Sequence, residues 1–315
     1  MSGAGRLSSG TDRAPDFSVL IGRVSTEDTG RIFETLEALR GQHGAQTYEV
    51  IIADRRDDEL SHRIERDYPE ATLIRRPPGT SLPALRAAAL ERAAGRYVAV
   101  TEDHCVPAPD WLEALAGAFR AAPPGTAAVG GCVENGACDT PLDWATFLCE
   151  YSGFLSPVAE GPTAALPGMN IAYERAALRD IDRALLDGGF WETTVHPALL
   201  RSGRTLYSSN GIRLAHCKKF SFGLFVRQRY LYSRYFAGRR FAPRQRARRA
   251  AALAASPVLP LVLLFRVLRH LRAKRRLGGE LVSCLPYLVP FLAVWAWGEM
   301  AGYALGPGDA LARIE

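Results

Sequence analysis

In this 315-residue chain an apolar run, Val98-Ala99-Val100, ends in Thr101-Glu102-Asp103-His104-Cys105 and then in VPAPDWL (106–112). Carboxylates and an imidazole so close together can hold a divalent cation and the ribose of a nucleotide. The competing reading is local: Asp110 caps a helix beginning at Trp111, while Glu102 or Asp103 binds loop amides. Two more apolar runs end in groups of the same kind. YEVIIAD (48–54) closes on Asp54, which is suited to accept from the imide N–H of a uracil-like base or from a ribose hydroxyl, or else to cap its own polar loop, DRRDDE. Asp103 would then take the ribose and His104 the metal. FSVLIG (17–22) closes on Gly22 and Arg23; Arg23, with Arg55 and Arg56, is placed to meet phosphate or to be solvated.

The elements that must position these groups follow from periodicity. Short apolar runs at 17–22, 48–54, 71–74, 96–103 and 127–132 predict buried strands. Between them Ile32, Phe33, Leu36 and Leu39 share one helical face, and Leu82, Leu85, Ala89, Leu90 and Ala93 share another. This alternation predicts an α/β fold with a mainly parallel sheet covered by helices on both sides. Ligands of such sheets bind beyond the carboxyl ends of the strands, where the clusters above fall. Residues 133–216 are less regular and contain LPGMNIAYERAAL (166–178) and a turn into FWETTVHPALLRSG (190–203).

Charge divides the chain. Its 39 Lys and Arg exceed its 33 Asp and Glu by six, yet 17 of the basic residues and none of the acidic ones lie between Lys218 and Gly279. The remainder carries 22 basic and 33 acidic residues, a balance of −11. The positive sum therefore points to a basic, apolar tail rather than to a nucleic-acid binder. Residues 218–249 interleave Phe, Tyr and Arg, the pattern of a helix lying in an anionic membrane interface. Two apolar segments follow, 250–268 and 281–305. The second is long enough to span a bilayer, with Glu299 as its single charge. The first contains Pro257 and Pro260 and has basic clusters on both flanks, so it is expected to dip into the membrane without crossing. The expected organisation is a loose arm over 1–15, a catalytic domain over 16–217, the interfacial segment 218–249, membrane segments within 250–305, and a tail over 306–315. The arm lacks the apolar core of a secretory signal, and the six cysteines show no metal-binding spacing, so reduced thiols and a cytoplasmic catalytic domain at the membrane are expected.

Taken in order, FSVLIG, YEVIIAD, the Leu85-Arg86 helix leading to AAGRYVAV, the cluster before VPAPDWL, GMNIAYER and the segment from Gly189 to Gly203 resemble glycosyltransferase family 2. That family comprises inverting enzymes on the GT-A fold, and the likeness covers about 17–216. It implies a nucleotide-sugar donor, a lipid-linked or glycan acceptor, and a divalent cation, with manganese favoured over magnesium by the histidine. The family's D-x-D falls on Glu102-Asp103-His104, which implies Asp103 at the ribose and His104, with Glu102 and the downstream His216, at the metal. Its Glu-Asp motif falls on Trp191-Glu192, which implies Glu192 as the base that deprotonates the acceptor hydroxyl. Arg86 matches an arginine of the donor site. His196, one helical turn after Glu192, is placed either to orient it or touch the acceptor, or, with Pro197 directly after it, to take a surface or internally satisfied role. The sequence departs from the family at Gly22 and Arg23, where a proline and an aromatic are usual, and at Arg55 and Arg56, where Asp and Gly-Ser are usual. The placement of the catalytic domain directly before the basic segment implies an active site at the membrane face and a role in envelope glycan or glycolipid synthesis. Two alternatives remain: a catalytically degenerate membrane scaffold, and a nucleotidyltransferase, although IGRVSTEDTG (21–30) lacks the lysine and glycine spacing of a phosphate loop.

Overall fold

The computed structural model describes residues 6–7, 14–27, 29–181, 186, 189–276 and 278–315. The chain divides into two compact units, Met1–Gly136 with Phe154–Lys218, and Ala137–Gly153 with Lys219–Glu315. Most of the expected arm over 1–15 lies outside the described residues. Arg6–Leu7 is not loose: it forms a short strand, β1, paired in parallel with Thr47–Tyr48.

The first unit is built on one sheet. Its further strands are β2 (Phe17–Arg23), β3 (Thr47–Asp54), β4 (Ala71–Arg75), β5 (Tyr97–Glu102), β6 (Cys105–Pro107), β7 (Thr126–Asn135), β8 (Gly161–Thr163), β9 (Ile171–Glu174) and β10 (Thr205–His216). They run in the order β1-β3-β2-β5-β9-β7-β10-β6, with β4 beside β3 and β8 beside β10. The sheet is a mainly parallel one because β3, β2 and β5 pair in parallel, as do β7 and β10. Strand β9 is antiparallel to both β5 and β7, so β5, β7 and β10 share one direction. The carboxyl ends of β2, β3, β5 and β10 therefore open on the same edge.

Alternation within the strands explains the layers. Val19 and Ile21 join Ile32, Leu36 and Leu39 of α1 (Arg31–Arg40) and Leu115 of α4 (Trp111–Ala121) in one core. Leu20, pointing the other way, joins Leu82 and Leu85 of α3 (Leu82–Arg92) and Val195 and Leu199 in the other. Both faces are buried, which is why these strands read as continuous apolar runs rather than as apolar-polar alternation. Each such Leu or Ile contributes about 1.5–3 kcal/mol by leaving water. Asn170 of the GMN motif ties three elements together: it accepts from Trp111 Nε1 at 2.7 Å and donates to the carbonyls of Cys132 at 2.6 Å and Ile212 at 3.1 Å. Helix α2 (Glu59–Asp67) follows β3 and begins with a reciprocal cap between Asp58 and Ser61. Helix α4 begins at Trp111 as expected, but the Asp110 side chain makes no cap hydrogen bond there.

The second unit contains α5 (Pro141–Tyr151) as well as the tail; the short helix α6 (Arg175–Arg179) and α7 (Glu192–Arg201) belong to the first. The tail helices are α8 (Phe222–Arg240), α9 (Arg246–Ala255), α10 (Leu259–Ala273) and α11 (Gly279–Leu305). The basic aromatic segment is not merely a surface helix, since Leu224, Phe225 and Leu231 of α8 are buried. Its backbone meets α11 at two glycines: a Cβ on Gly298 would lie 2.6 Å from the Tyr230 carbonyl, and one on Gly302 would lie 2.4 Å from that of Arg234. Such a small-residue face lets two helices approach closely. Arg246–Ala273 and Gly279–Leu305 are each long and apolar enough to cross a membrane. The first is longer than the expected 250–268 because its prolines do not break it. Pro257 lies in a 3-10 turn, Ser256–Val258, and Pro260 in the first turn of α10, positions where the missing N–H is tolerated.

Candidate active site

Three groups of side chains occupy the carboxyl edge of the sheet. The first closes on itself. Arg23, at the end of β2, donates to Asp54 at 2.9 Å and Ser61 Oγ at 3.0 Å through Nη1, and to both oxygens of Asp58 at 2.8 Å through Nη2. Asp54 also accepts from Ser61 Oγ at 2.6 Å and the Arg56 amide at 2.7 Å. Arg23 is 1% exposed and Asp54 0%. Arg23 and Asp54, expected at the nucleotide, are engaged here in a buried ion-pair network that anchors α2 to the sheet. Gly22 is likewise internal: a Cβ there would stand 2.5 Å from Leu82 Cδ1 of α3.

The second group centres on Asp103. Its Oδ2 accepts from the Val24 and Ser25 amides, both at 3.2 Å, and its Oδ1 from Ser25 Oγ at 2.8 Å and His104 Nδ1 at 2.7 Å. Four contacts use the lone-pair sites of an ionised carboxylate, so Asp103, expected at the ribose, is engaged here by the Val24-Ser25 loop and by His104. What it does is orient His104. With Nδ1 fixed, His104 Nε2 points to His216 Nε2 at 3.1 Å and Glu102 Oε2 at 3.2 Å. Burial pushes the Glu102 carboxyl up, but the hydrogen bond and charge of His104, with the charge of Arg86, outweigh it and bring it to about 2. Burial lowers His104, yet its bonds to Asp103 and Glu102 raise it above its ordinary value. Burial and the neighbouring His104 charge take His216 down to about 3, so its imidazole is neutral. His104 Nε2 thus lies beside a second imidazole nitrogen and a carboxylate oxygen, donor types that suit manganese and related ions. Cys105 Sγ also lies within 4.8 Å of the Glu102 and His104 ligand atoms. Burial raises that thiol well above its ordinary value, and a neutral thiol is a poor ligand.

Arg86 links this cluster to the third. It is 3% exposed and donates to Glu102 Oε1 at 2.8 Å and to Glu192 Oε2 at 3.2 Å. Glu192 is the first residue of α7, and its Oε1 accepts from Trp191 Nε1 at 2.8 Å. Gly168 makes room for it, since a Cβ there would lie 2.5 Å from the Glu192 carboxylate. About a fifth of the Glu192 side chain (21%) is exposed. Burial raises its pKa and the Arg86 charge only partly opposes that, which moves a carboxylate toward the range of an effective general base.

The expected partnership of His196 with Glu192 is absent. His196 is buried, bonds Tyr173 Oη through Nε2 at 2.9 Å, and is lowered by burial to about 4. Three residues of this edge, Ser25, Lys218 and Gly168, are not singled out by the sequence. Ser25 binds both Asp103 and, at 3.2 Å, the buried Lys218 ammonium, which places a cation beside the second group. The available signal was position: Lys218 follows the end of β10 by two residues. In the sequence Gly168 stands out only as the first residue of GMN.

Residues 29–181 match the model of glycosyl transferase family 2. A search of curated proteins found no match. Among solved structures, the mannosyltransferase PcManGT from Pyrobaculum calidifontis, in complex with GDP-Man and Mn2+, aligns over 92% of this chain and 88% of its own, with a TM-score of 0.53 and 18% identity. Residues 1–349 of TarS from S. aureus with UDP-GlcNAc align over 67% of this chain and 64% of theirs, with a TM-score of 0.44 and 14% identity. GalNAc-T7 with UDP, GalNAc and Mn2+ aligns over 73% and 51%, with a TM-score of 0.48 and 15% identity. The first likeness extends over nearly the whole chain and shows its fold, GT-A.

Proposed function

We propose, from the premise that this chain belongs to glycosyl transferase family 2, that it transfers a sugar from a nucleotide-sugar donor to an acceptor hydroxyl with inversion. The observation that carries this reading is the Arg86 bridge, which holds Glu192 and Glu102 on either side of one guanidinium at the open edge of the sheet. Glu102, His104 and His216 would hold a divalent cation, and their nitrogen and oxygen donors fit manganese. When bound, that cation would supply positive charge to the departing nucleoside diphosphate. Asp103 keeps His104 turned so that Nε2 remains available. Arg86 offsets part of the negative charge between the two glutamates. Glu192 removes the proton from the acceptor oxygen as that oxygen attacks the anomeric carbon, opposite the leaving group. Trp191 and Arg86 fix the two carboxylate oxygens during that transfer.

Membrane attachment belongs to the same proposal. It is supported by the length and apolarity of Arg246–Ala273 and Gly279–Leu305 and by the basic residues between Lys218 and Gly279. A cytoplasmic catalytic unit acting on a lipid-linked acceptor, in envelope glycan or glycolipid synthesis, is consistent with both. The solved mannosyltransferase was bound to GDP-Man and Mn2+, which makes that pair the first to assay.

The test is Glu192→Gln. This variant should keep cation-dependent donor binding by calorimetry and lose transfer by about 10²–10⁴-fold, the usual contribution of a positioned base. Turnover near that of the native chain would remove Glu192 from the mechanism. Absence of cation-dependent donor binding or hydrolysis across nucleotide sugars would favour the scaffold alternative.

A further inference from the structure

The helical unit contains a cavity that sugar transfer does not use. It is an open slot of about 440 Å3 lined from α8, α9, α10 and α11. Its walls are the apolar side chains of Ala252, Ala255, Leu259 and Val262, and its polar end is Arg240, Glu299 and Tyr303. That volume is within the range of sites that enclose a small molecule or part of an alkyl chain. Around it, Leu261, Val262 and Phe265 of α10 are 69, 55 and 67% exposed, on a helical stretch long and apolar enough to cross a membrane.

The polar end is a built site. Glu299 is 7% exposed and accepts from Trp295 Nε1 at 3.1 Å, Tyr303 Oη at 2.8 Å, and Arg240 at 2.9 and 3.2 Å. An ionisable group within an apolar helix is costly unless paired, and it marks a functional position more often than a packing one. Arg240 also bonds Tyr303 Oη, yet 47% of its side chain is exposed. Arg249 binds the Tyr303 and Ala304 carbonyls at the end of α11, which sets a second guanidinium close by. Six arginines and no acidic residue lie between Arg239 and Arg249. The slot therefore joins an apolar wall to the half-exposed Arg240, with Arg249 held on the same tyrosine, and guanidinium recognises phosphate in a planar, two-point manner.

We propose that the slot binds one anionic phospholipid, with an acyl chain along Ala252, Ala255 and Val262 and its phosphate at Arg240 and Arg249. This rests on the membrane reading of the tail helices and is independent of the transferase chemistry. The experiment uses the full chain in mild detergent, mixed with equimolar phosphatidylglycerol and phosphatidylcholine of identical chains and examined by native mass spectrometry. One phosphatidylglycerol should be retained per chain, with a preference of about tenfold or more over phosphatidylcholine. Ala255→Phe, which fills the slot from an exposed position, should abolish retention. Arg249→Gln should weaken it while leaving the apolar wall intact. Equal retention of the two lipids, or native retention by Ala255→Phe, would overturn the proposal. Displacement by an equimolar polyprenyl monophosphate would reassign the slot to an acceptor lipid and overturn the phospholipid assignment. Liposome flotation separates the two levels: flotation without a retained lipid overturns the slot alone, and failure to float overturns the membrane reading with it.

Discussion

Replacing Arg23 with methionine separates a structural role from a nucleotide-binding one. Methionine retains most of the aliphatic bulk and removes the charge. Asp54, 0% exposed, would then keep only the neutral donors Ser61 Oγ and the Arg56 amide. Asp58 loses two bonds as well, but its side chain is 31% exposed and water replaces them. Removing one partner of a buried ion pair costs about 3–5 kcal/mol, because the other charge is left in a medium that solvates it poorly. For a unit of roughly 150–250 residues about 1 kcal/mol shifts Tm by about 2–4 °C, so the expected fall is about 6–20 °C. Thermal unfolding of the full chain in mild detergent, followed by tryptophan fluorescence, measures it. Trp111 and Trp191, 0 and 5% exposed, report on the sheet unit. The double variant Arg23→Met with Asp54→Leu removes both charges and should recover part of the loss. Well below the transition, donor affinity of Arg23→Met should stay within about threefold of the native value, a difference under ~1 kcal/mol. A native Tm combined with a donor affinity reduced by about tenfold or more would refute this reasoning and return Arg23 to the nucleotide.

Two further variants test the roles of the other groups. Arg86→Gln removes the positive charge 3.2 Å from Glu192 Oε2, so the carboxylate becomes harder to ionise. Because the base must be ionised, the acid limb of kcat should move to higher pH by about 1–3 units, and an unmoved limb would detach Arg86 from Glu192 in catalysis. His196→Phe leaves the buried Tyr173 hydroxyl without its partner and should cost about 1–3 kcal/mol of stability with acceptor KM unchanged. A selective rise in acceptor KM would instead restore the acceptor contact expected for His196.

The strands were legible because burial on both faces leaves compact apolar runs: 17–22 against Phe17–Arg23, and 48–54 against Thr47–Asp54. The four-residue strand Ile171–Glu174 was not, since so short a run has no period that separates strand from buried helix. Its insertion between β5 and β7 depends on pairing partners distant in sequence. The edge residues show the same division. Their location at strand ends could be read, but the direction of each side chain could not. Arg23 turns inward because the cap of α2 brings Asp58 and Ser61 to it, 35 and 38 residues away. Lys218 was hidden because, in sequence, it looks like the first charge of a long basic run.

The histidine at position 104 and the internal engagement of Asp103 are two aspects of one arrangement. A carboxylate at the third position of such a motif offers equivalent oxygens and needs little orientation. An imidazole offers two inequivalent nitrogens, and it serves a cation only if a neighbour fixes its tautomer and rotation. Asp103 does so at 2.7 Å from Nδ1, and is itself held by Val24 and Ser25 of the loop after β2. That loop would therefore control the proposed cation site without contributing a ligand to it. The Lys218 ammonium on Ser25 Oγ extends the chain of contacts from the end of β10, two residues beyond His216, back to Asp103. The segment that carries His216, a proposed ligand, thus also steadies the residue that orients His104, so displacement of that segment would disturb both imidazoles together.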